Sequence, residues 1–197
     1  MNAGELKDKI SVLTLKEAES NYFWEIKASI WAKVEQLKKN NIFSEAGIGA
    51  KSIKFTIRKN STFTLHNAFQ WQGKHCFLTD ITDIEHMYYV VTAAIMEPRI
   101  CIVERTERPV LNELNRPVYG APILLTFPGC LIEKHLDHTQ KKPMAYTETR
   151  YVLVTPKPIQ LAVGELVSIN GISYAVVIPH TLDDYKNEYE IIAKEDV

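Results

Sequence analysis

Cysteine and histidine come first, because both residue types can bind metals or act in nucleophilic catalysis. Cys130, His135 and His138 lie close together in the sequence. Their spacing matches no standard zinc motif, and no fourth ligand lies nearby. Cys130 also aligns with Ala32 in the internal repeat described below. We therefore predict that Cys130 is a small buried core residue, and we expect no metal and no other cofactor.

A histidine next to a cysteine could supply a general base and a nucleophile. His75 and Cys76 are adjacent in a segment that we predict to be a β-strand. Adjacent side chains of a strand point to opposite faces, so these two cannot act on each other directly. We predict that Cys76 belongs to the core.

Acidic residues cluster in two segments that we predict to be hairpin loops. Paired carboxylates can perform general acid–base catalysis, but carboxylates at loop tips are usually solvated turn residues. We favour the second interpretation for Asp80, Asp83, Glu85, Asp183 and Asp184.

One segment has a weak similarity to a phosphate-binding loop. The stretch "GIGAKS", residues 47–52, would need glycine at positions 45 and 50, where the chain has Glu45 and Ala50. The sequence also has no G-x-G-x-x-G, H-E-x-x-H or G-x-S-x-G motif. We therefore expect that the protein is not an enzyme.

Two lysine pairs remain as candidates for binding. Lys38-Lys39 and Lys141-Lys142 each follow a similar strand, one pair in each half of the chain. They are either part of solvated loops or contacts to a phosphate backbone that passes close by, and the sequence leaves both interpretations open.

Composition limits the classes of protein. The chain has 197 residues, 46% of them hydrophobic, and a formal net charge of −1 at pH 7. A net charge this close to zero argues against binding of nucleic acid by overall electrostatic attraction. The three cysteines form no C-x-x-C pair, which fits a reducing compartment. The first residues lack the apolar stretch of a signal peptide, and no run is long enough to span a membrane, so we expect a soluble intracellular protein.

A β-hairpin is the strongest local prediction. In "LVSINGISYAVVIP", residues 166–179, two apolar runs flank Asn170-Gly171. A type I′ turn needs positive φ at both central residues, and Asn-Gly meets this need.

The same unit occurs twice, at an offset of 98 residues, as between Gly73 and Gly171. At this offset "AKVE" (32–35) falls on "CLIE" (130–133), and "FQWQG" (69–73) falls on "VSING" (167–171). With two more residues in the loop before it, "YVVTA" (89–93) meets "YEIIA" (189–193). We predict a tandem duplication with domains 1–97 and 98–197.

Each half is predicted to be mainly β, because short Val-, Ile- and Tyr-rich runs alternate with turn signals. The predicted strands are 8–15, 22–35, 53–58, 68–72, 74–82, 87–95, 100–105, 121–134, 149–155, 165–169, 172–178 and 187–193. Six short strands in each half favour two tandem small antiparallel β-barrel domains, which leave no long edge exposed. We expect a short helix within 36–47 and a long polar loop at 134–148.

Residues 1–97 resemble the head–tail joining proteins of tailed bacteriophages, also called head-closure, head-completion or stopper proteins. The similar stretches are "MNAGELKDKI" at the start, "SIWAKVEQL" (29–37), "FSEAGIGAKSIKFTIRKN" (43–60) and "WQGKHCFLTDITD" (71–83). Gln36 stands where the family often has proline, and Cys76 stands where it usually has an aromatic residue. The second half is a weaker match, in "RPVLNELNRPVYGAP" (108–122) and "NGISYAVV" (170–177).

The resemblance implies a structural virion protein made in the cytoplasm of a bacterial host. It implies a homo-oligomeric ring, sixfold or twelvefold, in the neck between head and tail. Such a ring lies below the portal and its adaptor, closes the channel over packaged DNA, and offers a docking surface to the tail terminator or tail tube. It implies no membrane partner. By analogy, loop 36–50 or loop 134–148 would face the channel with Lys38, Lys39, Lys141 and Lys142.

Three other functions are alternatives to this one. The first is a tail-completion or baseplate-hub component with the same barrels. The second is an oligonucleotide-binding barrel, which would need exposed aromatic residues among basic ones. Its candidates Phe69, Trp71 and Tyr88-Tyr89 align with core positions in the second half, so we predict that they are core residues. The third is an enzyme, which no group of residues supports.

Overall fold

The computed structural model describes residues 3–36, 51–60, 63–84, 87–106, 110–111, 113–118, 120–134 and 150–194. The protein is mainly β, as predicted, and the only helix among these residues is a 3₁₀ turn at Ala3–Glu5. The helix predicted within 36–47 lies outside the described residues, except for Gln36. The strands are β1 (Asp8–Ala18), β2 (Asn21–Gln36), β3 (Lys51–Arg58), β4 (Asn67–Trp71), β5 (Lys74–Ile84), β6 (Tyr88–Ile95), β7 (Arg99–Arg105), β8 (Val110–Leu111), β9 (Pro117–Val118), β10 (Ile123–Lys134), β11 (Arg150–Pro156), β12 (Leu166–Ile169), β13 (Ile172–His180) and β14 (Lys186–Ala193).

Twelve of these strands form a single sheet, and β8 and β9 form a separate two-stranded ladder. Along the sheet the order is β1-β4-β5-β6-β3-β2-β10-β11-β14-β13-β12-β7. Two additional pairings, β1 with β2 and β10 with β7, close each group of six strands on itself. We name the first group, β1–β6, the N-terminal half-sheet, and the second, β7 with β10–β14, the C-terminal half-sheet.

The two half-sheets have the same strand order when β1–β6 are matched in turn with β7, β10, β11, β12, β13 and β14. Among the described residues, one parallel pairing, Thr126 with Asn21, joins them in the sheet. The boundary between domains 1–97 and 98–197 stays a prediction.

Turn geometry is also repeated at the predicted offset. The β4–β5 turn has positive φ at Gln72 (49°) and Gly73 (75°), and the β12–β13 turn has positive φ at Asn170 (53°) and Gly171 (82°). Positive φ at both central residues is the type I′ pattern, so the Asn-Gly hairpin is confirmed. The register of β5 against β6 shifts between Leu78 and Asp80, and that of β13 against β14 shifts between Val176 and Ile178.

Alternate residues of each strand fill a separate apolar core. The N-terminal core contains Ile10, Ile53, Phe55, Phe69, Trp71, Cys76, Leu78, Val91 and others. The C-terminal core contains Cys101, Val103, Phe127, Leu153, Val167, Ile169, Tyr174, Val176, Tyr189, Ile191 and others. The period of two along each strand sends one face inward and leaves the other for solvent or for further packing.

The predicted match of "AKVE" with "CLIE" is wrong by one residue. Ala32 pairs with Ile57 inside the N-terminal core, and the residue in the corresponding position on β10 is Gly129. A Cβ on Gly129 would lie 2.8 Å from Cys101 Sγ and from Leu153 Cδ1, so Gly129 faces the C-terminal core closely. Because side chains alternate along a strand, a shift of one residue moves Cys130 to the other face of the sheet.

The predicted match of "YVVTA" with "YEIIA" is wrong by two residues. Phe55 pairs with Val91 and Leu153 pairs with Tyr189, so the offset of 98 continues through the last strand. No extra residues are needed in the loop. The inward and outward faces of β6 and β14 were still matched correctly, because a shift of two residues preserves the alternation of side chains along a strand.

In the part of the chain that the structure describes, the half-sheets differ at the first connection. β1 and β2 extend as a hairpin that turns at Glu19-Ser20, where φ is 48° and 66°. The corresponding connection in the C-terminal half-sheet, residues 106–122, is longer and contains the β8–β9 ladder, which was not predicted.

Candidate functional site

Of the three residues considered as metal ligands, the structure describes Cys130. Cys130 is buried, 3% exposed, and burial raises the pKa of its thiol to about 12. Its burial agrees with the prediction, but it packs outside the C-terminal core, in a cluster described below. His135 and His138 lie outside the described residues. Among the residues that the structure describes, no group of three or more His, Cys, Asp or Glu side chains could hold a metal ion.

His75 and Cys76 point to opposite faces of β5, as predicted. Cys76 is fully buried in the N-terminal core, and burial raises the pKa of its thiol to about 12. His75 lies under the β1–β2 hairpin against Trp24, with a distance of 5.3 Å between the ring centroids. Burial lowers the pKa of His75 to about 4, so both groups are neutral near pH 7.

The acidic residues have structural partners. Asp83 forms an ion pair with Lys59, and Asp80 accepts a hydrogen bond of 2.7 Å from Thr82 Oγ1. Asp183 accepts a 3.1 Å hydrogen bond from the backbone N–H of Tyr185, which is a turn contact. Asp184 is exposed, and Glu85 lies outside the described residues. Asp80 and Asp83 lie within β5, paired with Thr92 and Tyr89, so their predicted place in a hairpin loop is wrong. For Asp183 the contact agrees with the predicted role in a turn.

The lysine pairs Lys38-Lys39 and Lys141-Lys142 lie outside the described residues, so both interpretations of them stay predictions. The aromatic candidates for base stacking are buried. Phe69 and Trp71 belong to the N-terminal core, so their prediction as core residues is confirmed. Tyr88 is buried, and Tyr89 is partly buried and packs against that core.

A third apolar cluster joins the half-sheets. Phe77 and Ala94, on the outward faces of β5 and β6, pack against Cys130, Val152 and Val154, on the outward faces of β10 and β11. All five are less than a tenth exposed. At roughly 25 cal/mol for each Å² of apolar surface removed from water, such a cluster stabilises the contact by several kcal/mol. We name it the junction cluster.

Two hydrogen bonds fix the junction at its sides. Tyr185 Oη donates to the backbone carbonyl of Thr79 across 3.1 Å, and burial raises the pKa of that phenol to about 12. At the other side, the N–H of Thr126 donates to the carbonyl of Ser20, in the β1–β2 turn, across 3.0 Å. Tyr22, which follows this turn, packs against the C-terminal core. The hairpin of one half-sheet therefore covers the other.

Several surface clefts accompany this architecture. One, of about 390 Å³, lies between the halves and is lined by residues of both, including Lys16, Tyr22, Pro156 and Tyr185. Another, of about 590 Å³, lies in the N-terminal half; its described lining is Leu6, Ile30, Trp31, Arg58, Lys59 and Asn60.

Sequence reasoning did not identify the junction residues. A signal was present, because "CFL" at 76–78 and "YVLV" at 151–154 are apolar on both faces of their strands. Strands covered on one side only alternate between apolar and polar residues, whereas continuous apolar runs indicate burial on both sides. The role of Ser20 is carried by its backbone, so no side-chain pattern could have indicated it.

Comparison of the chain with known protein families, with curated proteins and with solved structures finds no significant match. No helix among the described residues is long and apolar enough to cross a membrane.

Proposed function

We propose that this protein is a structural virion protein of the bacteriophage neck. As a head–tail connector, it closes the portal channel after DNA packaging and provides the surface on which the tail docks. We also propose that each half-sheet is a small antiparallel β-barrel and that the domains are residues 1–97 and 98–197.

One observation carries the proposal. The chain builds the same closed circuit of six strands twice, with the same strand order and with turns and bulges at the same offset. A small closed antiparallel sheet with loops at its ends is the architecture that the resemblance of residues 1–97 implies. The pairings of β1 with β2 and of β7 with β10 join the end strands of each half-sheet, which limits the strand edges that are open to aggregation and suits a subunit that must assemble in a defined ring.

The partners follow from this function. Copies of the chain form a sixfold or twelvefold ring, with the portal and its adaptor above and the tail terminator or tail tube below. A loop from each subunit reaches into the channel towards packaged DNA. The candidates for this contact are Lys38 and Lys39 in one half and Lys141 and Lys142 in the other, since phosphate contacts are made chiefly by lysine and arginine.

The test is electron microscopy of particles made with this gene disrupted. Tailless heads that have lost DNA, next to normal free tails, would support head closure. Tailed, infectious particles would overturn it. Normal filled heads with defective tails would also overturn it, in favour of a tail-completion or baseplate-hub component.

The lysine pairs can be tested in the same system. We expect that replacing one pair by glutamate, either K38E/K39E or K141E/K142E, leaves assembled necks that leak DNA. The matched control is K7E/K9E, since Lys7 and Lys9 are exposed at the start of β1. DNA retention that is equal in all three variants would contradict a channel role for either pair.

A further inference from the structure

A tryptophan on the outward face of β2 is exposed to solvent. Trp31 is 57% exposed, although its neighbours Ile30 and Ala32 pack against or within the N-terminal core. A single exposed apolar residue is ordinary on a protein surface, so its surroundings decide whether it has a role. Exposed aromatic rings that lie among basic residues are typical of sites that bind the bases of nucleic acids.

An arginine lies beside this tryptophan. Ala32 of β2 pairs with Ile57 of β3, and both are buried in the N-terminal core. The next residues along these two strands are Trp31 and Arg58, so both side chains are on the outward face. Arg58 is exposed, and a guanidinium is a planar cation that can bind the oxygens of a phosphate at two points.

The two side chains line one cleft of about 590 Å³. Its described lining is Leu6, Ile30, Trp31, Arg58, Lys59 and Asn60. Small-molecule pockets usually have volumes of about 300–1,000 Å³ and combine an apolar lining with a few polar groups. Here Leu6, Ile30 and the ring of Trp31 supply the apolar part, and Arg58 supplies a positive charge. The cleft therefore suits a planar ligand that carries an anionic group.

The carboxylates near this cleft are matched by other lysines. Ion pairs join Lys59 to Asp83 and Lys33 to Glu5 and Glu35. Glu35 also lies opposite Lys54 in the β2–β3 ladder. These charges balance one another, so a ligand in the cleft meets the positive charge of the arginine.

The C-terminal half-sheet has the same strands without this pair of residues. The register of the two half-sheets shows that the positions corresponding to Trp31 and Arg58 are Pro128 and Pro156. The same arrangement of strands therefore forms with proline at both positions. Because the architecture does not require the tryptophan and the arginine, their place on the N-terminal half-sheet favours a role in binding.

We propose that this cleft binds a nucleotide, with the base stacked on Trp31 and the phosphate held by Arg58. Every base has a π-face, so the stacking tolerates any base, and the phosphate contact carries no sequence information. The bases of a duplex are already stacked on one another, so the ligand is an unpaired strand or a free nucleotide. The inference goes beyond the proposed neck role and does not rest on it.

Trp31→Ala tests the stacking contact. A fluorescein-labelled oligothymidylate of about ten nucleotides is titrated with the full chain at low salt, and fluorescence anisotropy gives the dissociation constant. We expect Trp31→Ala to weaken binding about tenfold and Trp31→Phe to keep most of the affinity, because phenylalanine also stacks. Phe23→Ala is the matched control, since Phe23 is 47% exposed on the same strand and pairs with Lys16. Equal affinities of Trp31→Ala and Phe23→Ala would overturn the proposal.

Arg58→Ala tests the phosphate contact. The loss of one phosphate contact on a single strand should reduce the steepness of log K against log salt by about 0.7. Arg58→Lys keeps the charge and should keep the steepness. Arg99→Ala, at an exposed arginine that begins β7, is the matched control. A salt dependence of Arg58→Ala equal to that of the unsubstituted protein would contradict the contact, even if the affinity fell.

Tryptophan emission gives a second readout of stacking. Trp71 is 7% exposed, and Trp24 is partly buried against His75. Quenching of the emission by the bound strand should therefore come mainly from Trp31. We expect Trp31→Phe to bind the strand with little quenching. Quenching as strong as in the unsubstituted protein would show that the bases stack elsewhere, and the proposal would be wrong.

Competition distinguishes the two sources of the ligand. The unlabelled competitors are thymidine monophosphate and a DNA duplex of the same length as the oligothymidylate. Displacement of the labelled strand by the mononucleotide would support a site for free nucleotides, and displacement by unlabelled strand alone would support a site for unpaired strands. Tighter binding of the duplex than of the strand would overturn base stacking. No binding of the three probes would overturn the proposal in favour of a protein contact at Trp31.

This site and the proposed function can fail separately. Binding through Trp31 by a chain whose disruption leaves infectious particles would support the site and overturn the neck role. Tailless, leaking particles, together with a purified chain that binds none of the probes, would support the neck role and overturn the site.

Discussion

The two half-sheets meet the same structural requirement with different chemistry at one equivalent site. In the N-terminal half-sheet, Asn67 Oδ1 accepts a 2.9 Å hydrogen bond from the N–H of Thr64, and its Nδ2 donates to Thr14 Oγ1 across 3.0 Å. In the C-terminal one, Glu165 accepts a 2.8 Å hydrogen bond from the N–H of Ala162 and forms a two-point ion pair with Arg105.

The backbone geometry at this site is the same in both halves. The N–H of Asn67 donates to Thr64 and that of Glu165 donates to Ala162, each closing the turn before the fourth strand of its half-sheet. The turn is therefore required by the architecture, whereas the polar pair that ties it to the first strand can be neutral or charged.

The largest effect is expected from truncating equivalent core residues. Phe55 and Leu153 are both fully buried in their cores. Phe55→Ala or Leu153→Ala should lower the free energy of unfolding by about 3–5 kcal/mol, because each leaves a cavity. Hydrogen exchange followed by mass spectrometry should show lost protection mainly in the half that carries the substitution. Equal loss in both halves would show that they unfold as one cooperative unit.

The strands and their turns could be predicted from the sequence, because alternation and turn residues act locally. Asn170-Gly171 is an example, since its φ values follow from the residue types. The face of Cys130 could not be predicted, because a shift of one residue in a weak internal alignment exchanges the two faces.

The contact between the half-sheets could not be predicted either, because it depends on tertiary structure. Its Ser20–Thr126 hydrogen bond joins backbone groups that are far apart in the sequence. Only charge and position in the sequence indicate Lys38, Lys39, Lys141 and Lys142, and their role in the channel stays a prediction.

The next effect tests the close packing at Gly129, which has Ala32 as its counterpart. Gly129→Val should destabilise the protein by about 2–3 kcal/mol, because its Cβ would overlap Cys101 Sγ and Leu153 Cδ1. Chemical denaturation measures the change. In a Leu153→Ala background the cost of Gly129→Val should be smaller, because the cavity accepts the added atoms. An unchanged cost would mean that the glycine does not face this part of the core.

One pH-dependent contribution to stability, from His75, has no counterpart at the same position of the C-terminal half-sheet. Its His75 has a pKa lowered to about 4 by burial, and the residue in the same position of the C-terminal half-sheet is Ser173, which does not titrate in this range. The stabilisation is present above the ordinary histidine pKa of 6.5 and is lost as the pH falls through 4, because only the unfolded state binds the proton in this window.

Denaturation curves at pH 7 and pH 4 measure this effect. His75→Gln should reduce the loss of stability between these pH values by about 1–3 kcal/mol relative to the unsubstituted protein. His66→Gln is the matched control, since His66 is exposed. The same reduction in both variants would contradict a special role for burial at His75.

The smallest effect is the salt dependence of stability, which should differ between the neutral pair Asn67–Thr14 and the charged pair Glu165–Arg105. Asn67→Ala should cost about 1–3 kcal/mol at any salt concentration, because it leaves the N–H of Thr64 and the carbonyl of Leu13, which accepts from Asn67 Nδ2 across 3.2 Å, without their partner. Glu165→Gln should cost about 0.5–1 kcal/mol at low salt and less at 1 M, because the pair with Arg105 is partly exposed and screened. Denaturation at the two salt concentrations measures both. A salt-independent cost for Glu165→Gln would mean that its hydrogen bond to Ala162, rather than its charge, holds the turn, and the two half-sheets would then use the same chemistry after all.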